Sequence, residues 1–271
     1  MTLRTQNRLL EYLKPRAGGA VVSDVRMGVG YTAVRLEGGH AGLAWTPPSD
    51  ASSCTHFPHA GTLTGRSAVE VLEFLAHETS CLARAVGLAT ANALLDVLPH
   101  PPVSREEIVS FLHLEPADRV AMVGYFAPVI ARIRALGCRL DVIELNPHHA
   151  AGTLSPEQGR EALADCTVAI LTGTSIINGT CDELLACLGS PRAAVLLGPS
   201  SPLCAEVFSG TKITHVAGSR VRDADAVLRV VSEGGGTLLM KKYLDFETVS
   251  VTGTGCCTDR HGLSPQRQER E

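Results

Sequence analysis

The sequence predicts a mixed α/β protein: an α+β unit over residues 1–98, then an α/β unit built on a parallel sheet over 105–252. Three observations carry this reading. Up to Leu98, strand-like alternation comes first and the longer helical segments follow it, without interleaving. From Arg119 onward, short apolar runs alternate with helical stretches. Between the two patterns stands Pro99-His100-Pro101-Pro102, a run that neither a helix interior nor a central strand accommodates.

Composition narrows the function classes. The 271 residues are 45% hydrophobic and 19% charged, enough apolar material for a buried core and no case for global disorder. Aromatics are only 4%, while Ala, Val, Leu and Gly dominate, as in proteins whose strands are covered on both faces. A net charge of −4 without a basic cluster argues against a nucleic-acid surface. No apolar run reaches the roughly 18 residues of a membrane span, and Met1-Thr2-Leu3-Arg4-Thr5-Gln6 lacks the core of a signal peptide. The expected compartment is therefore the cytoplasm, where nine cysteines read as thiols rather than as a disulfide framework.

In chain order, Thr2 to Lys14 reads as an amphipathic helix stopped by Pro15, and Val21 to Trp45 as antiparallel strands turning at Glu37-Gly38-Gly39-His40. Helices follow from Ser67 to His77 and from Cys81 to Leu98. In the second half the strand candidates are Val120–Val123, Leu140–Ile143, Val168–Leu171, Ala194–Leu197 and Ile213–Val216. Helical stretches at Val129–Leu136, Glu157–Ala164, Asp182–Leu188 and Leu203–Phe208 link them, and Asp223–Glu233 forms a further helix. Residues 253–271, polar and without periodicity, read as a disordered tail.

Ligands of open parallel sheets sit at the carboxyl ends of the strands, so those loops are the first candidates for a site. They read Gly124-Tyr125-Phe126-Ala127-Pro128, then Glu144 onward, then Thr172-Gly173-Thr174-Ser175 with Asn178-Gly179-Thr180, then Gly198-Pro199-Ser200-Ser201-Pro202. Thr180 and Glu183 have the spacing of a capping box. Candidate ligand-binding residues are Gly124, Tyr125, Phe126, Glu144, Thr172, Gly173, Thr174, Asn178, Gly198 and Ser200. Glu144 falls twenty positions after Gly124, close to the spacing of a ribose-binding acid, but the glycine loop lacks G-x-G-x-x-G. Phosphates laid on it would meet Tyr125 and Phe126, which favours an adenosine- or pterin-like planar ligand over a full dinucleotide. Taken singly, each of these residues is explained by turns and caps; clustering at one edge shifts the weight toward a site.

Cys54, His56 and His59 bring a thiol and two imidazoles within six residues, a spacing that suits a transition metal of unspecified identity. A polar surface loop explains the same residues equally well. No C-x-x-C, P-loop or G-x-S-x-G occurs, so no catalytic residues are assigned.

The loops Gly124–Pro128, Thr172–Thr180 and Leu197–Pro202 together resemble the putative heavy-metal chelation domain family, whose fold is Rossmann-like. Tyr31–Val34, Gly42–Thr46 and Ala60–Arg66 resemble the domain that usually precedes it, an enolase N-terminal-like α+β domain. The resemblance runs from about Leu9 to Val251 and implies a metal or metal-complex ligand between the two halves. The other reading is a small-molecule enzyme or binding protein that uses Glu144, Asn178 and the Thr/Gly loop without a metal of its own. Under either reading the partner is a small molecule or metal, with no nucleic acid or membrane and with a homo-oligomer left open.

Overall fold

The computed structural model describes residues 3–48, 57–144 and 152–251. Two separate sheets organise it. The first, of order β1-β2-β3, is antiparallel: β1 (Val22–Met27), β2 (Tyr31–Leu36) and β3 (Ala41–Trp45). Ahead of it runs α1 (Thr5–Leu13), which tightens into a 3₁₀ turn at Lys14–Arg16 where Pro15 removes an amide donor. Behind it come α2 (Ala68–Leu72), α3 (Phe74–His77) and the long α4 (Cys81–Val97).

Helix α4 lies on the sheet at unusually short range, and Gly42 is the reason. A Cβ there would stand 2.2 Å from the Ala89 carbonyl oxygen and 2.3 Å from the Ala93 nitrogen. The side-chain amide of Asn92 donates to Leu43 O at 2.8 Å, and His40 reaches Asp96. Strand β3 therefore runs antiparallel to α4 and brings Trp45 toward the start of that helix.

The second sheet has the order β5-β4-β6-β7-β8-β9. Its strands β4 (Arg119–Val123), β5 (Arg139–Ile143), β6 (Val168–Thr172), β7 (Ala193–Leu197) and β8 (His215–Val221) are parallel, and β9 (Leu244–Ser250) returns antiparallel on β8. The connecting helices are α6 (Ala127–Ala135), α7 (Pro156–Asp165), α8 (Thr174–Asn178), α9 (Cys181–Cys187), α10 (Ala205–Phe208) and α11 (Ala224–Ser232). Short helices α5 (Ile108–Phe111) and α12 (Thr237–Met240) complete the count among the described residues. No helix there is long and apolar enough to cross a membrane.

Alternate residues of the buried strands feed two different cores. Val120, Met122, Val168, Ile170 and Val195 pack with Ile130 and Ile133 of α6 on one face. Ala121, Ala169, Leu171, Ala194 and Leu196 pack on the other, in one continuous core with Leu9 and Leu13 of α1 and Leu88 and Leu94 of α4. The two sheets thus share apolar burial, although no strand joins them.

The expected antiparallel and parallel sheets are present, and two local expectations change. Strand β8 starts at His215 rather than Ile213 and runs on to Val221, because β9, unforeseen, pairs with it along its whole length. The Thr172–Ser175 stretch, read as a turn, holds the last residue of β6 and the first two residues of α8. The expectation of a disordered tail lies outside the described residues.

At the amino edge of the parallel sheet, Asp118 ties three strands together. It accepts from Arg192 (2.6 Å), Thr167 Oγ1 (2.7 Å) and the Glu115 amide (2.9 Å), and its side chain is 8% exposed. The Arg192 hydrogen bond, with the Glu115 and Thr167 donors, outweighs burial and lowers its pKa from 3.8 to about 2. A carboxyl whose folded pKa is depressed stabilises above its unfolded pKa, and the contribution is lost as pH falls through the folded value. Asp118→Asn should therefore cost about 2 kcal/mol near neutral pH, the penalty shrinking below about pH 4 and vanishing near 2. Urea unfolding of both proteins across that range checks it; a penalty independent of pH would contradict it.

Candidate functional site

The carboxyl ends of β4, β6 and β7 meet around Thr172 and Phe126. Gly124 and Gly198 both adopt left-handed φ values, +99° and +113°. A Cβ on Gly124 would lie 3.0 Å from Thr172 Cβ and 3.3 Å from the Phe126 ring, and one on Gly198 would lie 3.4 Å from the same ring. Both glycines make room for Phe126, which is wedged between the two strand ends. Thr172 and Thr174 share a hydroxyl–hydroxyl hydrogen bond of 3.0 Å and are half-buried. Tyr125 is 41% exposed, and Glu144 follows β5 half-buried. Pro128 enters α6 in its first turn, where the missing N–H costs nothing.

Gly173 has an ordinary φ, and its need for glycine is steric. A Cβ there would meet Ser201 Oγ at 2.5 Å and Ser201 N at 2.7 Å. The neighbouring Ser200, 2% exposed, accepts from the Trp45 amide at 2.8 Å. The loop after β7 is thereby fastened to the end of β3, and the two sheets touch at this point. Ser201 Oγ is fully buried and has no hydrogen-bond partner among the described residues. Sequence reasoning passed over Ser201, since nothing in Ser200-Ser201 says which hydroxyl would be left unpaired.

Helix α8 (Thr174–Asn178) follows the end of β6 after one residue and ends on Asn178. Its carbonyls are taken by the N-terminal half: Gln6 Nε2 donates to Ile176 O at 2.7 Å and Arg84 Nε to Ile177 O at 2.6 Å. Gly179, at φ +75°, supplies the left-handed C-terminal turn. Asn178 is exposed, at the carboxyl end of α8.

The expected capping box is absent. Thr180 sits in the αR region and its side chain makes no cap bond to α9. The carboxylate in this turn works across the molecule instead: Asp182 accepts from the Thr5 hydroxyl (2.8 Å) and the Thr5 amide (3.1 Å) at the start of α1. Burial pushes the neighbouring Cys181 thiol up to about 11, and burial likewise raises Cys204 to about 12. Both are buried, protonated packing residues.

Of the thiol–imidazole set, Cys54 and His56 lie outside the described residues. His59 has its Nε2 3.0 Å from Glu78 Oε1 and is stacked on Phe74 at 4.4 Å. Among the described residues no group of three or more His, Cys, Asp or Glu could hold a metal ion. Cavities of about 280 and 490 Å³ lie at the opposite, amino edge, and the arginines and acids of their walls pair with each other, as in Arg119–Asp165, Arg139–Asp141 and Arg192–Asp118.

Comparison with known proteins fits this architecture. A family model described as putative heavy-metal chelation matches residues 107–250, and a second model with the same description matches 10–95. The chain belongs to that family. An uncharacterized protein of Methanocaldococcus jannaschii is 24% identical over 161 residues, which span 58% of this chain and 62% of that protein. The crystal structure of a family member of unknown function from Pyrococcus horikoshii superposes with a TM-score of 0.80 at 21% identity, covering 91% of this chain and all of that one. One from Desulfitobacterium hafniense gives 0.73 at 18%, covering 90% and 98%. At these identities the two structures establish the fold of the putative heavy-metal chelation family for this chain.

Proposed function

We propose that the protein binds a small metal-chelating molecule, or the metal complex it forms, at the carboxyl edge of the parallel sheet where β3 meets the loop after β7. The observation that carries this is the convergence of three strand ends with the Trp45–Ser200 contact, which brings a residue of the first half to the carboxyl edge of the second. The chemistry nearby is oxygen-rich. Thr172, Thr174 and Glu144 offer hydroxyls and a carboxylate suited to a chelator's acid, amine or hydroxyl groups. The nine-residue α6 turns its positive end toward the same edge. The family description supplies the metal, which arrives as cargo, since the described residues do not form a metal site by themselves.

A second reading, direct metal binding, is favoured by one observation. His59 is oriented through Nε2 by the Glu78 carboxylate, the arrangement that fixes many metal-binding imidazoles. Cys54 and His56 would then be its companions. Elemental analysis of protein purified without an affinity tag separates the two. The first reading expects metal content that rises only with added chelator and is unchanged in Cys54→Ser and His59→Ala. Stoichiometric metal that both substitutions remove would instead establish the second, because a hydroxyl is a far poorer soft-metal ligand than a thiolate.

A further inference from the structure

The outer edge of β1 carries a surface the ligand site does not use. Its first half is occupied: the Val22 amide donates to Arg66 O at 2.9 Å, the Gly65 amide donates to Val22 O at 2.8 Å, and Val21 bridges Ser67. Beyond Val22, among the described residues, the edge has β2 as its strand neighbour on one side only. The Gly28 amide bonds Tyr31 O, so the bonded pairs with β2 are Arg26–Ala33 and Asp24–Arg35. Val25 and Met27 therefore point their amides and carbonyls outward.

An open edge is normally blunted by charges that repel a second copy. Here the charges do the reverse. Asp24 and Arg26 lie two residues apart on one face of the strand, bonded to each other at 2.8 Å, with Arg26 half exposed. A two-fold axis through Val25 would place a second β1 antiparallel to the first. Val25 of each copy would then exchange both main-chain bonds with its counterpart, and Asp24 of each would stand opposite Arg26 of the other. The strand is self-complementary under the symmetry that most homodimers use. Exposed apolar residues sit at the same end of the hairpin: Val29 and Leu239 flank the Gly234–Gly235 turn, and Leu238 is 87% exposed.

We propose that the partner of this edge is a second copy of the chain, joined through an antiparallel β1–β1 pairing centred on Val25. The bulge between Val22 and Asp24 marks where that pairing ends rather than preventing it.

The test is mass in solution by light scattering, with folding verified by circular dichroism. The wild type should show twice the 28.6 kDa chain mass. Asp24→Arg makes both facing positions basic and Arg26→Asp makes both acidic, so each variant alone should be monomeric. An equimolar mixture of the two should recover the doubled mass, because every facing pair is then opposite in sign. The double exchange, Asp24→Arg with Arg26→Asp, should dimerise by itself and serves if either single variant folds poorly. A monomeric wild type, a dimer that both single variants leave intact, or variants that stay monomeric when mixed would each overturn the proposal.

Discussion

Gly42→Ala is expected to be strongly destabilising. The added Cβ would stand 2.2 Å from the Ala89 carbonyl oxygen and 2.8 Å from the Asn92 carbonyl carbon, both backbone atoms of α4. No rotamer change relieves a clash with backbone, so β3 and α4 would have to separate. That separation would open the core that holds Ala44, Leu88 and Ala89, all fully buried. The cost should reach about 3 kcal/mol or more, a large part of the roughly 5–15 kcal/mol that stabilises a typical domain. Urea unfolding, or failure to recover soluble protein, would show it. A loss below about 1 kcal/mol would mean that the helix does not sit this close to the sheet.

The second large effect concerns charge. Arg220 of β8 and Glu247 of β9 are paired at 2.9 Å with side chains 8% and 4% exposed, and Arg220 also lies 3.5 Å from Asp96 at the end of α4. One guanidinium nitrogen of Arg220, Nη2, is buried without a partner among the described residues. Glu247→Ala would leave the buried guanidinium with only the longer Asp96 and Leu95 carbonyl contacts, would take away a partner of Arg105, and should cost about 3–5 kcal/mol. Replacing the pair together, Arg220→Met with Glu247→Leu, should recover most of that loss, because removing both charges removes the desolvation penalty as well. If the double variant were as unstable as Glu247→Ala, the pair would be contributing more than mutual neutralisation.

How much of this was legible in the sequence follows from where each signal resides. Strands buried on both faces declare themselves as unbroken apolar runs, which is why Val168–Leu171 and Ala194–Leu197 were located within a residue or two. Strand β9 was not, because Leu244 to Ser250 alternates with charged Asp245 and Glu247, and Glu247 is buried by virtue of its partners Arg220 and Arg105. Helices α5 and α12 have four residues each, too few for a helical period to show. Helix α8 depends on Gln6 and Arg84, 170 and 93 positions away, so no local pattern could report it. The same holds for Thr180 and Asp182. A capping box was a fair local inference, but Thr5 had the stronger claim on the Asp182 carboxylate. At the site, the glycines were found from sequence but the side chains packed against them were not. They accommodate Phe126 and Ser201, and only three-dimensional packing identifies what fills the space beside a missing Cβ.

The central claim, a ligand site at the carboxyl edge where the two halves meet, has a built-in reporter. Trp45 is the single tryptophan of the chain, and its amide is bonded to Ser200 at that edge. The most direct measurement is tryptophan fluorescence during titration with zinc, nickel, cobalt or copper, each alone and as its citrate chelate. The account predicts a saturable change with at least one chelate, weakened by Glu144→Ala and by Phe126→Ala while the unfolding midpoint of the Glu144 variant stays near that of the wild type. A flat response to every ion and every chelate, or a response that both variants leave unchanged, would contradict it.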